Sequence, residues 1–262
     1  MNKKMILNFV KDITSSIKSS QYLFHSALLE VKYKYKRSIL GPLWIMLTTA
    51  IFIAVISLVY KQLFNIEIIK LLPYLSIGYI LWILFSSIIL ESINILNENR
   101  GIINDMKINY FDLIIKNIFK NFILFFHNLI IVIIIFLYLK IDATIFIFLG
   151  FLNLFLCGFS MIFISYFISI FTLRYKDIGQ FLSSIMFLFF LITPIFWEAK
   201  LLGNSNLLLY NYFYYLIEFV RQPFLGNKLE LSFYLIIFVV NLLSIIISFF
   251  AYNFRKKVIF WL

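Results

Sequence analysis

The chain has 262 residues, 63% of them hydrophobic and 13% charged, with a mean hydropathy of +0.99 and a net charge of +11. Soluble domains hold roughly 45–50% apolar and about 25% charged residues, so no water-soluble core can hide this much apolar surface. A basic balance elsewhere points to nucleic acid, but here the cations flank apolar runs, and topology and anionic lipid account for them, which excludes that partner. The lone Cys157 sits in an apolar run and excludes a disulfide framework or a metal quartet. With 33 Phe and 16 Tyr beside 8 Gly, a single aromatic reads first as lipid-facing or core filler.

Residues 1–21 place Ile6, Phe9, Val10, Ile13 and Ile17 at helical spacing, which predicts either an amphipathic surface helix or a partly frayed terminus. The run 5–10 contains Asn8 and stops at Lys11 and Asp12 without a small-residue cleavage site, so this segment is expected to be retained. Residues 22–44 read YLFHSALLEVKYKYKRSILGPLW. At about 100° per residue, Phe24, Ala27, Leu28, Val31 and Tyr35 share one arc, while Lys32, Lys34, Lys36 and Arg37 lie outside it. The pattern predicts a helix over 22–37 lying on a membrane, its apolar face in the acyl boundary and its cations on anionic headgroups. Gly41 and Pro42 then break it, and the chain restarts with Pro42 near a helix N-terminus. Residues 1–43 thus form a cytoplasmic amphipathic unit ahead of a membrane domain over 44–262.

Uncharged apolar runs near the roughly 20 residues that cross about 30 Å of hydrocarbon predict six spans, at about 44–64, 71–92, 121–139, 145–173, 181–197 and 231–254. The fold class is an all-α membrane protein. Of the 23 Lys and Arg, most lie before the first span, between the second and third, between the fourth and fifth, and after the sixth. That asymmetry puts both chain ends in the cytoplasm. Between the second and third spans, Ile102, Ile103, Met106 and Tyr110 suggest one short helix whose apolar stripe docks a partner or the chain's own N-terminal helix. Residues 207–220, between the fifth and sixth spans, are strongly apolar yet too short to cross, and contain Asn211. They are expected to dip in from the outer side and return, with Gly203, Pro223 and Gly226 as breaks.

The predicted spans carry no Asp, Glu, Lys, Arg or His at their centres, apart from His127 near the start of the third. Ion-coupled carriers and intramembrane enzymes need such groups. GxxxxGK[ST], GxSxG and HExxH are absent, and His25 and His127 stand apart. Neither ATP hydrolysis, acid–base chemistry nor a resident metal is expected in this chain. A basic membrane protein without a motor or an ion site reads as the pore-forming half of a machine whose motor is another polypeptide.

Three stretches resemble the type-2 ABC exporter permeases that move polysaccharides. VKYKYKRSILGPLW, residues 31–44, looks like their entrance signature; RYKDIGQFLSSIMFLFFLITPIFW, 174–197, resembles their turn between fourth and fifth spans; YYLIEFVRQPFLG, 214–226, resembles their outer re-entrant segment. Two positions depart: the family often has Pro a few residues into the first span, and Asn-Pro where this chain has Asn211 and Tyr212. The resemblance implies a homodimer with two copies of a separate ABC ATPase, which holds the ATP and Mg. Its cargo would be a lipid-linked glycan of O-antigen, teichoic acid or capsular type, moved outward across the bacterial inner membrane.

Carried onto this chain, the resemblance puts Tyr33, Tyr35, Arg37 and Trp44 at the entrance of the path, with Arg37 on the lipid pyrophosphate. Trp197, Tyr210, Tyr212, Tyr214 and Tyr215 would stand at the exit, where aromatic faces stack on sugar C–H faces. Each aromatic also has a plainer reading as interfacial belt. Arg100, Ile102, Ile103, Met106, Tyr110, Arg174 and Asp177 would couple to the ATPase. The rival cargoes are drugs or small lipids. A rival of another class, a membrane-embedded glycan-transferring enzyme, needs an acidic residue near a span end, for which Glu91 and Glu198 are the candidates.

Overall fold

In an apolar medium each backbone N–H and C=O must be satisfied within its own segment, so apolar runs fold as helices that end where a donor is lost or a new cap begins. The computed structural model describes residues 3–36, 38, 41, 43–64, 67–106, 108–142, 144–202 and 206–262, and among these every regular element is helical. The helices are α1 (Lys3–Lys18), α2 (Ser20–Lys34), α3 (Leu43–Phe64), α4 (Ile68–Glu98), α5 (Arg100–Asp105), α6 (Tyr110–Leu139), α7 (Phe146–Arg174), α8 (Lys176–Ile192), α9 (Tyr212–Phe224), α10 (Leu231–Tyr252) and α11 (Val258–Trp261). Among the described residues, α3, α4, α6, α7 and α10 are long and apolar enough to cross a membrane.

The predicted span over 181–197 is not one of these five. Its helix, α8, starts earlier and stops at Ile192, about 25 Å long at 1.5 Å per residue. Pro194 has no donor and disfavours helix at the residue before it, and Thr193 accordingly turns extended, with ψ 131°. The third predicted span is also longer than 121–139, because α6 begins at Tyr110. Asn109 caps it, its side chain accepting from the Phe111 N–H at 3.1 Å. Lys116 and Lys120, read from sequence as part of a connection, are carried inside this helix because carboxylates on α2 and α4 pair with them.

Two further expectations are corrected. The stripe Ile102, Ile103, Met106, Tyr110 does not share one helix: α5 ends at Asp105, Met106 is extended at φ −134° and ψ 144°, and Tyr110 opens α6. The basic amphipathic helix stops at Lys34, with Tyr35 as its C-cap, rather than running through Arg37. Arg37, Pro42 and Gly203 lie outside the described residues. Gly41 adopts φ +56°, a left-handed angle that suits the turn expected there.

Both chain ends meet at one end of the bundle, hereafter the basic end. The Phe9 ring of α1 packs edge-on to Phe111, Phe249 and Tyr252 at 5.7, 5.4 and 5.1 Å. The Tyr252 hydroxyl donates to the Asp12 carboxylate, and the Asn109 amide donates to the Asp12 carbonyl at 2.6 Å. The N-terminal segment is therefore a docked helix. α4 and α7 form the centre, flanked by α6, α9 and α10, with Phe85, Phe111, Leu154, Tyr166 and Leu216 among the fully buried side chains. By contrast α3 and α10 bury few of their apolar side chains, a surface suited to lipid or another copy rather than water.

At the far end, residues 207–224 do dip in and return. α9 begins with the Tyr212 hydroxyl 3.3 Å from Ser160 Oγ, about 21 Å along α7 from its start. It climbs past Asn153, whose amide donates to the Phe219 carbonyl at 2.7 Å, and ends against Gly150. Asn211 starts this helix: its Oδ1 accepts from the Tyr214 N–H at 3.2 Å, and its amide donates to Thr193 Oγ1 at 2.9 Å. Gly226, at φ +81°, closes it with bonds from Gly226 N to Pro223 O and from Asn227 N to Gln222 O, the Schellman pattern.

Candidate functional site

A groove runs along the faces of α4 and α8. On α4 its wall is Tyr79, Trp82, Ile83, Ser86, Ser87 and Leu90, then Ile93, Asn94 and Asn97. These recur every three or four residues, so they form one continuous face about 27 Å long. The opposite wall, on α8, is Lys176, Gly179, Gln180 and Ser183, then Met186, Phe187 and Phe190, and Phe52 of α3 closes one side. The hollow nearer the basic end has a volume of about 590 Å³ and the inner one about 450 Å³; they meet at Ser183.

The groove changes character along its length. Its mouth offers two Asn amides, a Gln amide and one ammonium group, whereas its interior offers aromatic faces and hydroxyls. Lys176 is the only charged side chain among the described lining residues. Ser86 and Ser183 already donate to carbonyls of their own helices, at 2.6 and 3.0 Å, which removes the cost of an unpaired hydroxyl in an apolar wall. The interior part of such a lining offers hydroxyl-bearing molecules weak contacts at many points and gives a bare ion little to replace its hydration.

Beyond the inner limit of the groove, residues 193–197 form a non-helical strap between α8 and the far-end hairpin. Beside it lies an ionised cluster. Arg221 is fully buried, and its Nη2 donates to the Glu218 carboxylate, to the Tyr74 hydroxyl at 2.7 Å and to the Pro194 carbonyl at 2.9 Å. The guanidinium also stacks on the Tyr74 ring at 3.6 Å. Gln222 donates to the other Glu218 oxygen at 2.7 Å. A Cβ at residue 78 would stand 2.6 Å from Arg221 Nη1, so Gly78 is what lets α4 pass the guanidinium.

At the basic end, Glu30 of α2 bridges Lys116 at 3.0 Å and Lys120 at 3.1 Å on α6, and Lys120 also meets Glu91 of α4 at 3.2 Å. Leu23, Ala27 and Val31 of α2 are buried, Ala27 and Val31 against Ile123 of α6; only part of the predicted lipid face stays exposed, at Leu28 and at Phe24, whose ring also meets Phe119. Burial by itself would raise the Glu30 pKa, but the Lys116 hydrogen bond and the charges of Lys120 and Lys116 outweigh it and hold the carboxyl below its usual range. A depressed folded value means that ionised Glu30 stabilises the α2–α6 contact above a carboxylate's ordinary pKa of about 4.3, and the contribution is lost as pH falls through the lowered value. Acidification into that range is expected to speed proteolysis of residues 20–36, and Glu30→Gln to give the faster rate at neutral pH as well. Equal rates for both chains at neutral pH would show that the clamp does not hold α2.

The residues singled out from sequence are scattered over these features. Tyr33 and Trp44 are exposed near the α2–α3 turn, and Tyr35 is half-buried against the α2–α6 contact. Tyr210 is exposed on the far side, Tyr214 and Tyr215 pack on Phe233, Tyr212 sits inside the bundle against Ser160, and the Trp197 carbonyl lies 3.1 Å from the Tyr74 hydroxyl. Arg100, Ile102 and Met106 are exposed on and after α5, while Ile103 is buried and anchors it; Tyr110 is half-buried. Arg174 stacks over Trp261 at 5.5 Å, and Asp177 is exposed in the first turn of α8. Glu91, a candidate acid from sequence, instead accepts from Asn121 at 2.6 Å and pairs with Lys120.

Sequence reading missed the groove wall and the buried pair. The signal for the first was polar residues at helical spacing in an apolar span, Ser86, Ser87, Asn94 and Asn97; for the second it was Glu218 and Arg221, opposite charges three apart inside an apolar segment. No curated protein matches the chain. The family model for the ABC-2 type transporter matches residues 24–225, from the first turns of α2 through the end of α9, and so takes in the groove and the hairpin together. With that match over most of its 262 residues, and with its apolar crossing helices, the chain belongs to the ABC-2 type transporter family as a multi-pass membrane permease.

Proposed function

We propose that this permease exports a lipid-linked polysaccharide of O-antigen, teichoic acid or capsular type from the inner leaflet of the bacterial cytoplasmic membrane outward. The observation that carries the reading is the groove: its interior offers ring faces and hydroxyls and its mouth adds amides and the Lys176 ammonium, which suits a chain of sugars sliding past, with or without anionic groups along it. The three polysaccharide-permease motifs at 31–44, 174–197 and 214–226 support the same cargo. The second contains the α8 wall and its strap, and the third covers most of α9.

ABC-2 permeases work with an ABC ATPase partner, generally as dimers. In this reading the groove, open on one side, is closed by a second copy, and two ATPase subunits carrying ATP and Mg drive it from the basic end, which is cytoplasmic. Exposed Arg100, Ile102, Met106, Arg174 and Asp177 would meet the ATPase, with Ile103 and Tyr110 seating α5. Tyr33, Tyr35, Arg37 and Trp44 would flank the entry of the lipid-linked end. Trp197, Tyr210, Tyr214 and Tyr215 would flank the exit, with Tyr212 supporting them from inside the bundle.

Deleting the gene is expected to remove a surface polysaccharide while its lipid-linked precursor accumulates inside. Unchanged surface glycan with altered drug or lipid sensitivity would assign another cargo to the same fold. Sugar transfer by the purified chain alone in liposomes would make it an enzyme instead.

A further inference from the structure

We propose that Phe196 closes the far end of the groove and that Arg221, Glu218 and Tyr74 act as positioning residues that latch it shut. The proposal deepens the export reading and rests on the groove being the path. At the inner limit of the groove Phe52 stacks on Tyr79 at 4.2 Å, and Phe190 packs beside Trp82 at 5.4 Å. The Phe196 ring lies 5.9 Å from Phe52, 6.2 Å from Tyr79 and 5.2 Å from Phe190, so it joins three rings from three helices into one apolar stopper. A constriction of this kind blocks water and ions by dewetting, which any exporter needs between cargoes.

The strap's own backbone does little to keep Phe196 there: the Ile195 N–H bonds the Thr193 carbonyl at 2.7 Å, before Phe196 is reached. Residues 193–197 have left the helix, Pro194 has no N–H to give, and the carbonyls of Pro194 and Trp197 have no intrahelical partner. Both are met by the ionised cluster instead. The Pro194 carbonyl accepts from Arg221 Nη2 at 2.9 Å, and the Tyr74 hydroxyl stands 3.3 Å from that carbonyl and 3.1 Å from the Trp197 carbonyl. The latch is made of hydrogen bonds between separate elements. It opens by movement: Tyr74 belongs to α4, Arg221 to α9, and the strap follows α8. Separating α9 from α4 therefore withdraws the Arg221 donor and its hold on Tyr74 in one step.

The cluster is also built to let go. Tyr74, Glu218 and Gln222 line a far-end cup of about 600 Å³ that also includes the exposed Lys70 and Lys200, so water reaches the cluster once α9 moves away from α4. Ile195, fully buried in the core, anchors the middle of the strap, and the ionised cluster holds the carbonyls on either side of it.

The test uses the complete chain in native membrane vesicles without nucleotide, with Cys157→Ser removing the only cysteine and Ser87→Cys as a reporter in the groove. A membrane-impermeant charged methanethiosulfonate is applied from the far side. The reporter is expected to be protected in this parent and to label at least tenfold faster with Phe196→Ala and with Tyr74→Phe, the second of which keeps the ring and removes only the hydroxyl. Arg221→Lys, which keeps the charge but not the fork, is expected to fall between parent and Tyr74→Phe. A reporter already labelled in the parent, or equal rates in parent, Phe196→Ala and Tyr74→Phe, overturns the latch. Export measured after labelling separates the two readings. Faster labelling with export unaffected by the adduct supports the latch and removes the groove as path; an adduct that blocks export without any change in labelling among the variants does the reverse.

Discussion

Arg221→Ala is expected to lower the stability of the chain by about 3–5 kcal/mol, because it leaves the Glu218 carboxylate buried with its cation gone. Arg221 is completely buried and the Glu218 side chain is 4% exposed, so water cannot take the missing partner's place without opening α9. The measurement is thermal unfolding of the purified chain in detergent, compared with Arg221→Met combined with Glu218→Leu. The double variant buries no charge and is expected to recover most of the loss, since well-packed apolar replacements for a buried pair are often neutral or stabilising. A single-variant cost below about 1 kcal/mol would instead match a solvated surface pair. Gly78→Ala is expected to act on the same cluster from the other side, since its Cβ enters the space of the guanidinium.

Ser87→Trp is expected to cut export at least tenfold, equivalent to about 1.4 kcal/mol in the barrier to passage, with little change in unfolding temperature. Ser87 is half-buried on the groove face of α4, so an indole there enters the path rather than the core. Ile133→Trp is the matched control: Ile133 is exposed on α6 and absent from the groove wall, and export is expected to stay unchanged. Equal losses from both substitutions would show that bulk anywhere in the bundle impairs assembly, and that the α4–α8 face is not the path.

Much of the architecture could be read before the structure because insertion into hydrocarbon is a local property. Each of α3, α4, α6, α7 and α10 follows from an uncharged run long enough to cross, and the re-entrant α9 from a run too short to do so. Breaks were legible where they depend on neighbours in sequence, as with Gly41 and Gly226, whereas the cap at Asn211 was not. Boundaries slipped where a partner elsewhere changed the local balance. Lys116 and Lys120 look like loop residues until Glu30 and Glu91 neutralise them, and α2 looks like a lipid-bound helix until half its apolar face meets α6.

The sequence by itself determined that this chain lives in a membrane, that its helices cross with both ends together at a basic side, and that the centres of its predicted spans carry no acidic or basic pair, since all of these depend on composition within single segments. Only the tertiary structure decided which faces meet. Tyr79, Trp82, Ser86 and Ser87 become a wall because α8 lies opposite, and Arg221, which sequence counting places among loop cations, becomes a buried donor because α9 folds back against α4. The reason is that an apolar helix of this composition can turn any face to lipid at little cost. The choice of the one face left to line the groove falls to the few polar contacts between segments far apart in the chain.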